Sequence, residues 1–195
     1  MFTQAFSLLA AYMLGAAPVG LILTTIYADT DVRETGSGNI GATNVLRSTS
    51  KGLGALTLAL DMLKGALPVL WGMLLYESWW MPGVVGFLAV LGHCTSIYLE
   101  FRGGKGVATA TGVMLVVAPL ATLLAAGAWA AVFFGLGRRV SLASIVAVLV
   151  LPLALWGLGQ AQWMWLAIAL ALLVLARHKD NLTRLSRGEE RGISA

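Results

Sequence analysis

A chain of 195 residues in which 58% are hydrophobic and only 11% charged has too little polar surface to clothe a soluble globule. With a mean hydropathy of +0.84 it reads instead as a polytopic membrane protein. The net charge of +4 does not point to nucleic acid, because no nucleic-acid motif and no interleaving of aromatic with basic residues accompanies it, and the lone Cys94 excludes an internal disulfide or a cysteine cluster.

The first 28 residues carry no charge, so they lack the basic start of a cleavable signal and read as a first transmembrane helix within an apolar segment at about 4–27. Further apolar segments lie at 52–76 and 82–99, followed by two long charge-free stretches. Residues 106–137 span 32 positions, which as one helix rising about 1.5 Å per residue would overshoot a hydrocarbon core of about 30 Å. Pro119 offers a break near the middle. Residues 140–176 are 37 charge-free positions divided by the turn-like run Gly157 to Gln162. Seven spans result, all helical, with no internal repeat and no low-complexity linker, so residues 1–195 are expected to form a single membrane domain.

The distribution of lysine and arginine orients these spans. With the N-terminus outside and the C-terminus in the cytoplasm, every basic residue except Lys64 falls on the cytoplasmic side, in loops 29–51, 100–106, 137–141 and 177–195. The outer turns carry none. A single helix over 106–137 would move Arg138, Arg139 and the basic tail outside, so the rule favours two short helices. Trp79, Trp80, Trp163 and Trp165 fit an interfacial aromatic belt at the outer turns.

Three cytoplasmic stretches carry candidate chemistry. The loop Thr35 to Arg47 combines small residues, hydroxyls, amides and one arginine, a surface suited to phosphate oxygens; a flexible polar connector is the plainer reading. Phe101-Arg102-Gly103-Gly104-Lys105-Gly106 opens an apolar run. Its glycines let backbone N–H groups approach a ligand, and a helix starting near Lys105 would aim its positive end at an anion. A glycine turn without a ligand is the alternative. It is not a Walker A loop, because Leu99 stands at its first glycine and Gly106 at its Ser/Thr. The third stretch, Arg177 to Leu185, holds His178 and Asn181 among basic residues of the kind that anchor a last span or meet anionic lipid.

Together, Ser37-Gly38-Asn39-Ile40-Gly41-Ala42-Thr43-Asn44, Gly92-His93 leading to Phe101 through Thr109, and His178-Lys179-Asp180-Asn181 with Arg184-Leu185 and Gly188-Glu189 resemble the three signature motifs of the PlsY family, bacterial acyl-phosphate-dependent glycerol 3-phosphate acyltransferases. Thr95-Ser96 departs from the aromatic residue and proline that many members carry, and Lys179 from a frequent arginine. The resemblance implies a multi-pass enzyme of the bacterial inner membrane with its active site facing the cytoplasm. It would move an acyl chain from acyl phosphate to the sn-1 hydroxyl of glycerol 3-phosphate, giving lysophosphatidic acid and phosphate. Ser37, Arg47, Lys105, Ser141, His178 and Asn181 would hold glycerol 3-phosphate; Ser37, Gly38, Asn39, Gly41, Thr43, Asn44, Gly103 and Gly104 would cradle acyl phosphate. Lys105, Ser141, Asn181 and His93 are the candidate catalytic residues. The lipid bilayer is the expected partner, with no nucleic acid, cofactor, metal or obligate protein partner.

Two multiply charged phosphates in one site require several cations and backbone donors, which Arg47, Lys105 and the basic tail can supply. The His-x4-Asp pair of better-known acyltransferases is missing, since Tyr98 follows His93 at that distance and Thr183 follows His178. Acyl phosphate is an activated anhydride, so positioning and oxyanion stabilisation can suffice. The resemblance adds a substrate phosphate oxygen as the proton acceptor, with His93 as rival base or as a packing histidine. Asp61 and Lys64, three apart on one helical face, predict a structural intramembrane ion pair, with indirect support of the active-site floor as the alternative. A small transporter for a phosphorylated or anionic solute is the competing class, and an acyltransferase using acyl-CoA or acyl carrier protein a third.

Overall fold

The computed structural model describes residues 2–193; Met1, Ser194 and Ala195, which the expected domain and the 177–195 loop include, lie outside the described residues. Among the described residues all regular structure is helical: α1 Phe2–Ala16, α2 Val19–Ala28, α3 Ala42–Ser48, α4 Lys51–Leu75, α5 Met81–Cys94, α6 Val107–Val117, α7 Pro119–Gly135, α8 Val140–Gly157, α9 Met164–Arg177 and α10 Lys179–Ser186. Short 3-10 turns cover Ile97–Leu99 and Ala161–Trp163. The contacts divide the chain into two compact units, Met1–Val113 and Met114–Ala195.

In the first unit, the expected first span is two helices bent by 41°. The break falls at Ala17–Pro18, because proline brings no N–H and crowds the preceding turn. Close helix approach comes from glycine. A Cβ on Gly15 would run into the Ala89 backbone and one on Gly92 into that of Tyr12, so α1 and α5 touch almost backbone to backbone. Gly65 against Thr109 and Gly112 against Met62 do the same for α4 and α6. α4 begins on a Ser50 cap, whose Oγ accepts from the Leu53 N–H at 3.2 Å. α5 stops at Cys94, short of the expected 99, and the departure at Thr95-Ser96 has a clear path. The Tyr12 hydroxyl donates to the Thr95 carbonyl and Ser96 Oγ donates to that of Ala16 at 2.6 Å, tying the end of α5 to α1.

In the second unit α7 packs on α8 and α8 on α9. Trp129 stacks on Phe133 with ring centroids 4.7 Å apart and donates to Ser144 Oγ at 3.2 Å. The long charge-free stretches break where the sequence implies. Ala118 separates α6 from Pro119 at the first turn of α7, and the chain turns between Gly157 and Met164. α9 and α10 form a bent pair at 64°, hinged on His178.

Among the described residues three helical segments are long and apolar enough to cross a membrane, or up to five spans if each bent pair counts as one. α6 has 11 residues, about 16 Å at the standard rise and well short of a hydrocarbon core.

Candidate active site

The loop before α3 is organised by one buried amide. Asn44 donates through Nδ2 to the Val32 carbonyl at 2.8 Å and the Thr35 carbonyl at 3.0 Å, while its Oδ1 accepts the Ser37 N–H at 2.8 Å. Gly36 and Gly38 take left-handed backbone (φ 58° and 69°), which lets the chain fold around that amide. Beneath it Val32, Ile40, Val45 and Leu99 form an apolar floor. Asn44 is therefore a brace, with both donors and its acceptor spent inside the loop, rather than an open phosphate donor. Asn39 plays a smaller version of the same part, its Oδ1 accepting the Gly41 N–H at 2.9 Å. Ser37 and Gly38 stay exposed at the loop tip, Thr43 is half-buried and Arg47 is exposed in the last turn of α3.

The glycine-lysine stretch is equally constrained. Glu100 and Phe101 both sit in left-handed backbone (φ 51° and 64°), a costly conformation for side-chain-bearing residues and doubly so in succession. The strain is held by Phe101 N–H donating to the Ser96 carbonyl and Arg102 N–H to that of Leu99, both at 2.8 Å. Gly104 N–H donates to the His93 carbonyl at 2.8 Å. A Cβ on Gly103 would strike that carbonyl, and one on Gly104 would strike the His93 imidazole. The glycines at 103 and 104 thus exist for close packing on the end of α5, and the Gly104 N–H expected to face an anion is already committed. Lys105 is half-buried, two residues before α6, which starts at Val107 rather than at Lys105.

In α4, Lys64 Nζ lies 2.8 Å from Asp61 Oδ1, the ion pair that the three-residue spacing predicts. Both are buried.

In the second unit two of the sequence-derived candidates, Ser141 and Asn181, gather with Arg184 around a residue that sequence reasoning missed. Glu190 Oε1 accepts from Ser141 Oγ and from Asn181 Nδ2, each at 2.6 Å, and Oε2 accepts from Arg184 Nε at 2.7 Å. The Glu190 side chain is only 9% exposed. Burial pushes its carboxyl up, but the hydrogen bonds from Ser141, Arg184 and Asn181 outweigh that and hold it below the ordinary carboxylate value. The sole hint in the sequence was an acid within a basic tail. Ser141 is 49 residues away in the chain, and no local spacing rule links the two. The tail is secured further by Ile193 N–H donating to the Arg138 carbonyl at 3.0 Å, where Arg138 itself is left-handed. His178, buried at the α9–α10 bend, puts Nδ1 2.8 Å from the Val174 carbonyl. A carbonyl can only accept, so Nδ1 carries a proton. Arg187 is exposed. Among the described residues no cluster of three or more His, Cys, Asp or Glu side chains is arranged for a metal.

Comparison with known proteins adds the chemistry's name. The family model described as glycerol-3-phosphate acyltransferase matches residues 5–188. The glycerol-3-phosphate acyltransferase of Syntrophotalea carbinolica is 44% identical over 190 residues, covering 96% of each chain. That of Agrobacterium fabrum is 45% identical over 194 residues, covering 97% of this chain and 91% of the relative. The crystal structure of PlsY (YgiH), an integral membrane glycerol 3-phosphate acyltransferase, superposes in its glycerol 3-phosphate form with a TM-score of 0.92 at 37% identity, over 98% of this chain and 96% of that one. Its lysophosphatidic acid form gives a TM-score of 0.90 at 36% identity, over the same shares. Motifs, helical architecture and chain-wide similarity agree, and the chain belongs to the glycerol-3-phosphate acyltransferase family.

Proposed function

We propose that this protein acylates glycerol 3-phosphate at its sn-1 hydroxyl, taking the acyl chain from acyl phosphate. The similarity to a solved acyltransferase in both its glycerol 3-phosphate and lysophosphatidic acid forms carries the reading, since those two ligands are an acceptor and its acylated product. The family match also favours an enzyme over a transporter.

In the proposed reaction the hydroxyl oxygen bonds to the acyl carbonyl carbon and the carbonyl carbon–phosphate oxygen bond breaks. The bonding pair leaves on phosphate, and the hydroxyl proton ends on a phosphate oxygen. Because the donor is already activated, the protein's task is to place the hydroxyl and offset the charge of two phosphates. Arg47 and Lys105 are the proposed cations, with Ser37, Ser141, His178 and Asn181 as the other glycerol 3-phosphate ligands. Ser37, Gly38, Asn39, Gly41, Thr43 and Gly103 are proposed for acyl phosphate, with Asn44 holding the loop before α3 in shape and Gly104, its N–H spent on the His93 carbonyl, shaping the glycine-lysine loop. The geometry refines two roles. Ser141 spends its one proton on Glu190, so toward substrate it offers lone pairs and suits a glycerol hydroxyl better than a phosphate oxygen. Asn181 keeps a second amide hydrogen for an anion.

We also propose seven spans in the bacterial inner membrane, with the N-terminus outside and the active-site loops in the cytoplasm. The break at Ala118–Pro119 and the one-sided basic residues support it. Reporters fused to the two ends should sit in opposite compartments; both ends in one compartment would sink the seven-span topology. The donor is settled by incubating purified protein with glycerol 3-phosphate and, in turn, acyl phosphate, acyl-CoA and acyl carrier protein thioester. Product from acyl phosphate alone is expected. Product from either thioester, with none from acyl phosphate, overturns the donor assignment.

A further inference from the structure

The buried charges of α4 have no part in the chemistry above. Asp61 and Lys64 are 2% and 4% exposed in the interior of a membrane-spanning helix. Such a pair is costly to desolvate and stabilises no better than apolar residues of the same volume, so stability alone does not account for it. What the pair touches is more informative. Lys64 Nζ donates to the Ala17 carbonyl at 2.7 Å, at the α1–α2 break. On its other side Asp61 Oδ1 stands 3.7 Å from His93 Nδ1, too far for a hydrogen bond but within electrostatic contact of the ring. His93 in turn meets the glycine-lysine stretch twice. Its carbonyl accepts the Gly104 N–H, and its imidazole fills the space that a Cβ on Gly104 would need.

We infer that Asp61 and Lys64 are positioning residues for the acyl-transfer site, acting through His93, which they brace against Gly104 so that the Gly103–Gly104–Lys105 loop keeps its substrate-holding shape. The contacts run in an unbroken line within the first unit: Ala17, Lys64, Asp61, His93, Gly104. The loop needs a brace because Glu100 and Phe101 just before it are held in left-handed backbone and would relax if their support shifted. His93 accordingly works as a wedge, with an acid and a lysine behind it, rather than as the base. The inference rests on the reading of this loop as the place where acyl phosphate and glycerol 3-phosphate are held.

Four variants decide it, each purified in detergent and assayed with glycerol 3-phosphate and palmitoyl phosphate. The double variant Asp61→Asn/Lys64→Met leaves no unpaired charge in the span and should insert and melt near the wild type. Its KM for palmitoyl phosphate should rise about tenfold or more while kcat stays within about threefold. His93→Gln, which leaves the ion pair intact, should show the same split, and the triple variant should be no worse than either, because one contact line is being cut twice. Wild-type KM values in a folded double variant overturn the inference, and so does a His93→Gln enzyme that loses kcat with both KM values unchanged, the signature of a lost base. If the double variant fails to insert, His93→Gln alone decides by the same split. Lys105→Ala keeps the two failures apart: full turnover there removes the substrate-holding loop and the inference with it, whereas an inactive Lys105→Ala beside a normal His93→Gln removes the inference alone.

Discussion

The two regions that carry the proposed site residues are built by different means. In the first unit, the loop before α6 is shaped by backbone, with left-handed residues, glycines pressed on a helix end and carbonyls paired with N–H groups, while the loop before α3 folds left-handed glycines around the Asn44 amide. In the second, Ser141, Asn181 and Arg184 are held by the side chain of a single acid, Glu190, that comes from the tail. A backbone-built site fails when a single atom is added where there is no room. A site built on one carboxylate fails when a charge is removed, and it can be weakened by pH without any mutation.

Lys105→Ala should give the largest effect. Removing a charge-assisted contact from a water-poor site costs about 2–4 kcal/mol of transition-state stabilisation, roughly 30- to 1000-fold in rate. The variant should still insert and fold, and Lys105→Arg, charged but planar and larger, should be partly active. Saturation kinetics on the purified variants check this, and near-normal turnover of Lys105→Ala would remove the loop from the site altogether. Gly104→Ala should come next, at about 10- to 100-fold, because overpacking of about 1–3 kcal/mol must be relieved by moving the His93 ring or the loop. Gly127→Ala, where a Cβ meets nothing within 4 Å, is the matched control and should be silent. Equal behaviour of the two would show that the loop tolerates bulk and is not backbone-built.

Glu190→Gln should be milder in rate, about tenfold or less, since glutamine keeps an acceptor for Ser141 and Asn181 but turns an amide toward Arg184. Its sharper signature is in acid. The folded-state value of Glu190 lies below that of the unfolded carboxyl, so its hydrogen bonds add stability that is fully present above about pH 4.3 and is lost as the pH falls through the folded value. Thermal melts in detergent should therefore show the wild type losing more stability than Glu190→Gln on acidification below about pH 4.3. Parallel melting curves would show that the carboxylate carries no such load.

Much of the fold was legible where it is written locally. The break before Pro119, the turn after Gly157, the Asp61–Lys64 pair and the glycine-lysine stretch all follow from neighbours a few residues apart. The roles of individual groups were less legible. Asn44 and the Gly104 N–H read as phosphate donors from composition, yet both are spent inside their own loops, because a buried polar group must be satisfied by whatever the fold brings near. Pro18 likewise splits what reads as one apolar span.

Composition and the resemblance of three motifs to a known family were enough, on the sequence by itself, to point to a helical membrane acyltransferase, because hydropathy and short glycine-polar motifs act over distances the chain itself defines. Only the tertiary structure decided that Glu190 anchors Ser141 and Asn181, that His93 lies between Asp61 and Gly104, and that Asn44 faces inward. Each of those contacts joins residues that lie in different elements or in the loops between them. Their meeting depends on where glycines let helices touch and where the chain must bend, which no local pattern specifies.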